Sequence, residues 1–182
     1  MHKIQRVSYI FRVFFQVAFF ALPIFLMLFW LTASGPTWVW NGITIESIPS
    51  GIKMLHAFNW ETRFLGLGIT LILSTGIHML TLYFLIKLFH LYEKGEIFSS
   101  VNVNYIKNIG YLLLFGQLLI NPLYQAFISA AITWQNPKGL GVISISLDQT
   151  NIAIVVAAVL IILISWIMAE GCKLREEHAF IV

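Results

Sequence analysis

Residues 64–86 read FLGLGITLILSTGIHMLTLYFLI, bounded by Arg63 and Lys87 with no charged side chain between them. At 1.5 Å of rise per residue, such a run crosses about 30 Å of hydrocarbon as a helix, a task that takes roughly 20 residues. Working outward, the charge-free runs Val13 to Ile45, Asn108 to Pro137 and Gln149 to Ala169 have the same character. The whole chain of 182 residues is 59% hydrophobic and only 10% charged, where a soluble domain carries about a quarter charged residues. A soluble fold has too little interior to hide that apolar surface. The reading is an all-α membrane protein: a four-helix transmembrane bundle in one domain over residues 1–182. Its spans are expected at about 10–32, 64–90, 106–134 and 151–171.

The first run follows the basic start His2-Lys3-Ile4-Gln5-Arg6, which raises the alternative of a cleaved signal peptide. Its apolar stretch exceeds the 7–15 residues of a typical signal core, so an uncleaved first helix is preferred. The basic residues then set the orientation. Lys3, Arg6, Arg12, Lys87, Lys94, Lys107, Lys173 and Arg175 fall on one side of a four-span chain, and Lys53, Arg63 and Lys138 on the other. The positive-inside rule places both termini in the cytoplasm, leaving a cytoplasmic loop at 91–105 and a cytoplasmic tail at 172–182. Trp30, Trp38, Trp40, Trp60 and Trp134 near the opposite ends fit an interfacial belt.

The outer loops are 33–63 and 135–150. The first contains Trp38-Val39-Trp40-Asn41-Gly42-Ile43-Thr44-Ile45, an alternating stretch centred on Asn-Gly, whose residues tolerate the positive φ of a tight turn. The second contains the alternating Val142-Ile143-Ser144-Ile145-Ser146-Leu147. Together they predict a small extracytoplasmic β-hairpin whose edge is protected by a further strand, forming a β cap. Pro23 and Asn121-Pro122 are expected to bend the first and third spans.

Two polar faces stand out within the spans. Gly66, Thr70, Ser74 and His78 recur every four residues on the second helix, and Gln117, Asn121, Gln125, Ser129 and Thr133 do so on the third. A polar seam between the two helices is expected. It serves either as interhelical glue or, through His78, Gln117, Asn121 and Gln125, as a ligand-binding or proton-sensitive site. No acidic residue lies within any span, His56, His78 and His90 lack metal-ligand spacing, and the chain has no P-loop, G-x-S-x-G or H-E-x-x-H motif. The expectation is therefore no enzyme, no cofactor and no metal. The single Cys172 permits no intramolecular disulfide.

The cytoplasmic loop has readable punctuation. Gly95 is placed to end the second helix, and Ser99 or Ser100 to cap the third, where Val101, Tyr105 and Ile109 follow at helical spacing. The tail carries Leu174, Glu176 and Glu177 before finishing on Ala179-Phe180-Ile181-Val182, an apolar end expected to fold back or to enter a partner's groove.

The stretch Lys94-Gly95-Glu96-Ile97-Phe98-Ser99, with Asn102-Val103, Ile109-Gly110, Leu174 and Glu176-Glu177, resembles the bacterial membrane family known as domain of unknown function 2975. The resemblance covers nearly the whole chain. It departs at the tail, where Glu177-His178-Ala179-Phe180-Ile181 stands in place of the family's Glu-Asn-Glu-Leu-Thr-like stretch. The resemblance implies a bacterial inner-membrane location. It also implies a membrane partner or sensor for a small cytoplasmic helix-turn-helix regulator, because members are often encoded beside one. The interface residues expected on that basis are Lys94, Gly95, Phe98, Ser99, Asn102, Leu174, Glu176 and Glu177. The lipid bilayer and that regulator are the expected partners, without direct nucleic-acid binding and with homo-oligomerisation open. The alternatives from other classes are a small transporter or ligand-binding bundle built on the seam, and a structural accessory subunit.

Overall fold

The computed structural model describes residues 3–32, 37–40, 43–46, 59–136, 141–146 and 149–179. Helix α1 covers Lys3–Thr32. A continuous helical stretch follows, made of α2 (Trp60–Ile69), a π-helical segment at Thr70–Thr75 and α3 (Gly76–Glu93). The next comprises α4 (Ser100–Phe115), a second π-helical segment at Gly116–Ile120 and α5 (Asn121–Thr133), and α6 runs over Gln149–Ala179. Four of these stretches are long and apolar enough to cross a membrane: Lys3–Thr32, Trp60–Glu93, Ser100–Thr133 and Gln149–Arg175. They are longer than the spans expected from the sequence because flanking turns with polar residues, such as Lys3 to Arg6 and Ser100 to Asn104, continue the helices. Their outward side chains are apolar, as bilayer solvent requires; Phe14, Phe20, Ile72 and Ile167 are all exposed. The chain is a multi-pass membrane protein.

The β cap is not supported. Strands β1 (Thr37–Trp40) and β2 (Ile43–Glu46) pair antiparallel with Trp40 opposite Ile43, and a two-stranded ribbon this short is marginal by itself. Residues 141–146, expected to protect its edge, form no strand. Their amides are taken up by helix side chains instead, as shown below. The Asn41-Gly42 turn and Leu147 lie outside the described residues.

The described chain divides into two compact units. One, termed the turn unit, comprises residues 1–20, 78–117 and 149–182; the other, the arm unit, comprises 21–77 and 118–148. In the turn unit α4 packs against α6 through Gly110, where a β-carbon would lie 2.6 Å from Ile162 Cγ1, 3.2 Å from Ile162 N and 3.3 Å from Ala158 O. The α6 backbone and the Ile162 side chain come this close because Gly110 has no side chain of its own. The start of α1 packs on the end of α3, with Phe11 and Phe15 stacked or tilted on Phe89 at 5.3 and 5.5 Å between ring centroids. Arg12 Nε lies 2.9 Å from Glu93 Oε2 and seals this contact.

In the arm unit Trp30 is fully buried and fills the space left by Gly66, whose β-carbon would overlap the indole. The indole N–H donates to Thr70 Oγ1 at 3.0 Å, and the ring sits in an apolar cluster with Phe29, Ile128 and Ile132. A buried indole requires such a partner. At the end of α1, Arg63 Nη1 donates to the Leu31 carbonyl at 2.6 Å, satisfying a helix-terminal acceptor.

A substitution pair tests the close approach. Gly110→Ala is expected to cost about 1–3 kcal/mol through overpacking, read by SDS titration in mixed micelles. Gly171→Ala, with nothing within 4 Å of its new β-carbon, should be neutral or stabilising by up to about 1 kcal/mol. Equal stabilities for the two variants would contradict the α4–α6 contact.

Candidate functional site

The turn between α3 and α4 is built by its own punctuation. Gly95 adopts φ +84°, the left-handed conformation that costs glycine little. Glu96 N donates to Leu91 O at 3.0 Å and Gly95 N to Tyr92 O at 3.1 Å, the paired bonds of a Schellman motif. Ser99 begins α4 as its N-cap, accepting from Asn102 N at 3.3 Å. Both roles are those expected from the sequence.

Asn102 does more than the sequence reading gave it. It is completely buried, and its Nδ2 donates to the Glu96 carbonyl and, at 3.0 Å, to the Ile97 carbonyl. It therefore holds the turn from beneath, a positioning role for the exposed residues around it. Gln5 of α1 supports the turn from another side, lying where a β-carbon on Gly95 would be 3.7 Å away.

What the turn presents outward is an open cavity of about 430 Å³ lined by Gly95, Glu96, Ile97, Phe98, Ser99 and Arg175. Phe98 is 63% exposed, an unusual position for a large aromatic ring outside the apolar spans. Lys94, Leu174 and Glu177 are exposed, while the side chain of Glu176 lies outside the described residues. Among the described residues, neither Glu96 nor Arg175 forms an ion pair. The sequence reading placed Leu174 and the two glutamates at this site and passed over Arg175, which the structure brings to the turn through the length of α6. Helix α6 continues past the apolar run to Ala179, so helical extension beyond the span was the signal available.

The expected seam has a different composition. Gly66 and Thr70 are buried, but His78 is exposed. The π-helical segment Thr70–Thr75 breaks the four-residue repeat, so the buried position that follows Gly66 and Thr70 is Thr75 rather than Ser74, and the repeat no longer leads inward at His78. Gln117, the last residue of the turn unit's middle segment, lies in the π-helical segment Gly116–Ile120, with its Nε2 buried and unpartnered among the described residues. Asn121 and Gln125 belong to the arm unit, where Asn121 Oδ1 accepts from Gln125 Nε2 at 3.3 Å.

The rest of that polar face binds residues 141–146. Val142 N donates to Thr133 Oγ1 at 3.0 Å, Ser144 N to Ser129 Oγ at 3.0 Å and Ser146 N to Gln125 Oε1 at 2.6 Å. Four helical residues rise roughly 6 Å and two extended residues roughly 6.6 Å, so every second amide of the arm meets every fourth residue of the helix. The arm thus runs back along α5 as an extended chain fastened by side chains. Gln125 Oε1 accepts from both Ser146 N and Ser146 Oγ and Nε2 donates to Asn121, which leaves one N–H of the amide.

The positioning role of Asn102 has a direct consequence. Asn102→Ala should leave two turn carbonyls without a donor, at about 1–3 kcal/mol, and speed tryptic cleavage after Lys94 while far-UV circular dichroism stays unchanged. A cleavage rate equal to that of the parent chain would contradict it.

Comparison with known proteins adds one match. No curated protein and no solved structure matches the chain. The family model described as Protein of unknown function (DUF2975) matches residues 6–182, which takes in the turn, the arm and α6. The chain belongs to that family.

Proposed function

We propose that this protein is a non-enzymatic docking module of the bacterial inner membrane. Its turn and the exposed end of α6 bind a small cytoplasmic helix-turn-helix regulator. The observation that carries the reading is the shared cavity: the 95–99 turn and Arg175, separated by most of the second half of the chain, line one concave surface. The orientation follows from Lys3, Arg6, Arg12, Lys87, Lys94, Lys107, Lys173 and Arg175 gathering at the helix ends nearest the turn and the termini.

The chemistry of the cavity supports protein recognition. An exposed aromatic ring beside an arginine is the pairing that concentrates binding energy at protein interfaces. Here Phe98 stands on a turn whose backbone is already fixed by Gly95, Ser99 and Asn102, so little ordering entropy is lost on association. A rigid turn of this kind suits a folded partner better than it suits a transport pathway. The seam reading is weakened by the commitment of Gln125 and by the exposure of His78.

The test uses the full-length chain in native membranes with a photo-crosslinking residue at Phe98 or Leu174. A crosslinked small helix-turn-helix protein is expected. Arg175→Glu should cut its yield about tenfold, equivalent to about 1.4 kcal/mol, while membrane insertion is retained. Self-crosslinks alone, or a yield unchanged by Arg175→Glu, would overturn the proposal.

A further inference from the structure

Along residues 141–146, hydrogen bonds are made on one edge of the extended chain and are absent from the other. The N–H and carbonyl of Val142 both meet Thr133 Oγ1, at 3.0 and 3.2 Å, and the amides of Ser144 and Ser146 are held by Ser129 and Gln125. An extended chain turns the backbone groups of successive residues to opposite edges, so those of Ile143 and Ile145 point away from α5. Among the described residues, neither isoleucine has a hydrogen-bond partner for its N–H or its carbonyl. Their side chains share one face of the arm and are 72% and 57% exposed. A β-carbon on the neighbouring Gly141 would also meet nothing within 4 Å.

Open strand edges are usually blunted by a charge, a proline or a bulge. The arm, Gly141-Val142-Ile143-Ser144-Ile145-Ser146, carries no charged residue and no proline. The buried side chains of Thr133, Ser129 and Gln125 hold it in place, so its free edge is preorganised and loses little freedom on pairing. The chemistry of the edge also selects what covers it. Hydrocarbon would receive the two isoleucines but not the unpaired amides and carbonyls. Water would receive the backbone groups but not the isoleucine side chains. A helix has its own backbone groups already bonded. A second extended chain satisfies both demands, through main-chain hydrogen bonds and apolar cross-strand contacts.

We propose that the free edge of the arm is a strand-addition site for an extended polypeptide segment with apolar, β-branched side chains at alternate positions. The segment pairs backbone to backbone with Ile143 and Ile145. The site lies wholly within the arm unit and stands apart from any partner at the turn. On the orientation argued from the basic residues, the segment is extracytoplasmic.

The probe is the synthetic peptide Gly-Val-Ile-Ser-Ile-Ser, blocked at both ends, whose isoleucines fall opposite Ile145 and Ile143 when it pairs antiparallel about Ser144. Residue-resolved amide hydrogen exchange is followed on the full-length chain in lipid nanodiscs. At about ten times its Kd the peptide should slow the Ile143 and Ile145 amides about tenfold and leave Ser144 unchanged. N-methylation of the peptide's isoleucines should abolish the effect, whereas N-methylation of its serines, whose amides face away from the arm, should preserve it. Ile145→Pro removes a donor from the free edge and suits an extended chain; it should lose the response while Ser144 and Ser146 stay slow. No protection by the peptide, or equal protection by both methylated forms, would overturn the proposal. Slow exchange of both isoleucine amides without peptide, in discs loaded with two chains but not with one, would overturn it in favour of pairing between copies of the chain.

Discussion

Hydrocarbon offers no hydrogen bonds, so every backbone amide and carbonyl at membrane depth must find its partner within the protein. Regular helix meets this demand for most of the four spans. The informative places are those where it does not. Pro122 cannot donate, and the π-helical segment before it absorbs the disruption. Arg63 reaches the Leu31 carbonyl at the end of α1, and the arm at 141–146 borrows three acceptors from α5. At Leu31 and along the arm, the departure from helix is compensated by specific polar side chains, Arg63 in the first case and Thr133, Ser129 and Gln125 in the second.

The same demand shapes the exposed turn. Ending α3 leaves carbonyls without donors, and starting α4 leaves amides without acceptors. Gly95 resolves the first problem through its left-handed conformation and Ser99 the second through its hydroxyl. Asn102 then satisfies the carbonyls in between. A turn with so few groups left to satisfy is rigid, and a rigid turn carrying exposed Phe98 beside Arg175 is a docking surface in the proposed reading. Arg12 and Glu93 anchor it to α1, so the start of the chain also supports the surface.

Much of this was legible in the sequence. Charge-free runs marked the four helices because hydrophobic length is a one-dimensional property, and Gly95 and Ser99 announced themselves because capping is local. The family could be read from the turn and tail motifs. The π-helical segments were not legible, since a one-residue change of register leaves no mark on composition. The polar face Gln125, Ser129 and Thr133 was correctly seen as needing a protein partner, but the partner was assigned to the second helix rather than to the loop. The matching periods, four along α5 and two along Val142, Ser144 and Ser146, were the available clue. His78 is exposed because the π-helical segment at Thr70–Thr75 interrupts the four-residue repeat, and Thr75 takes the buried position.

The most direct measurement of this account is residue-resolved amide hydrogen exchange of the protein in lipid nanodiscs, read over the arm. If side chains of α5 satisfy the arm, the amides of Val142, Ser144 and Ser146 exchange slowly, Ile143 and Ile145 faster, and Ser129→Ala releases Ser144 selectively. Uniformly fast exchange from 141 to 146, or no response of Ser144 to Ser129→Ala, would contradict the claim that the polar residues of the span exist to satisfy non-helical backbone.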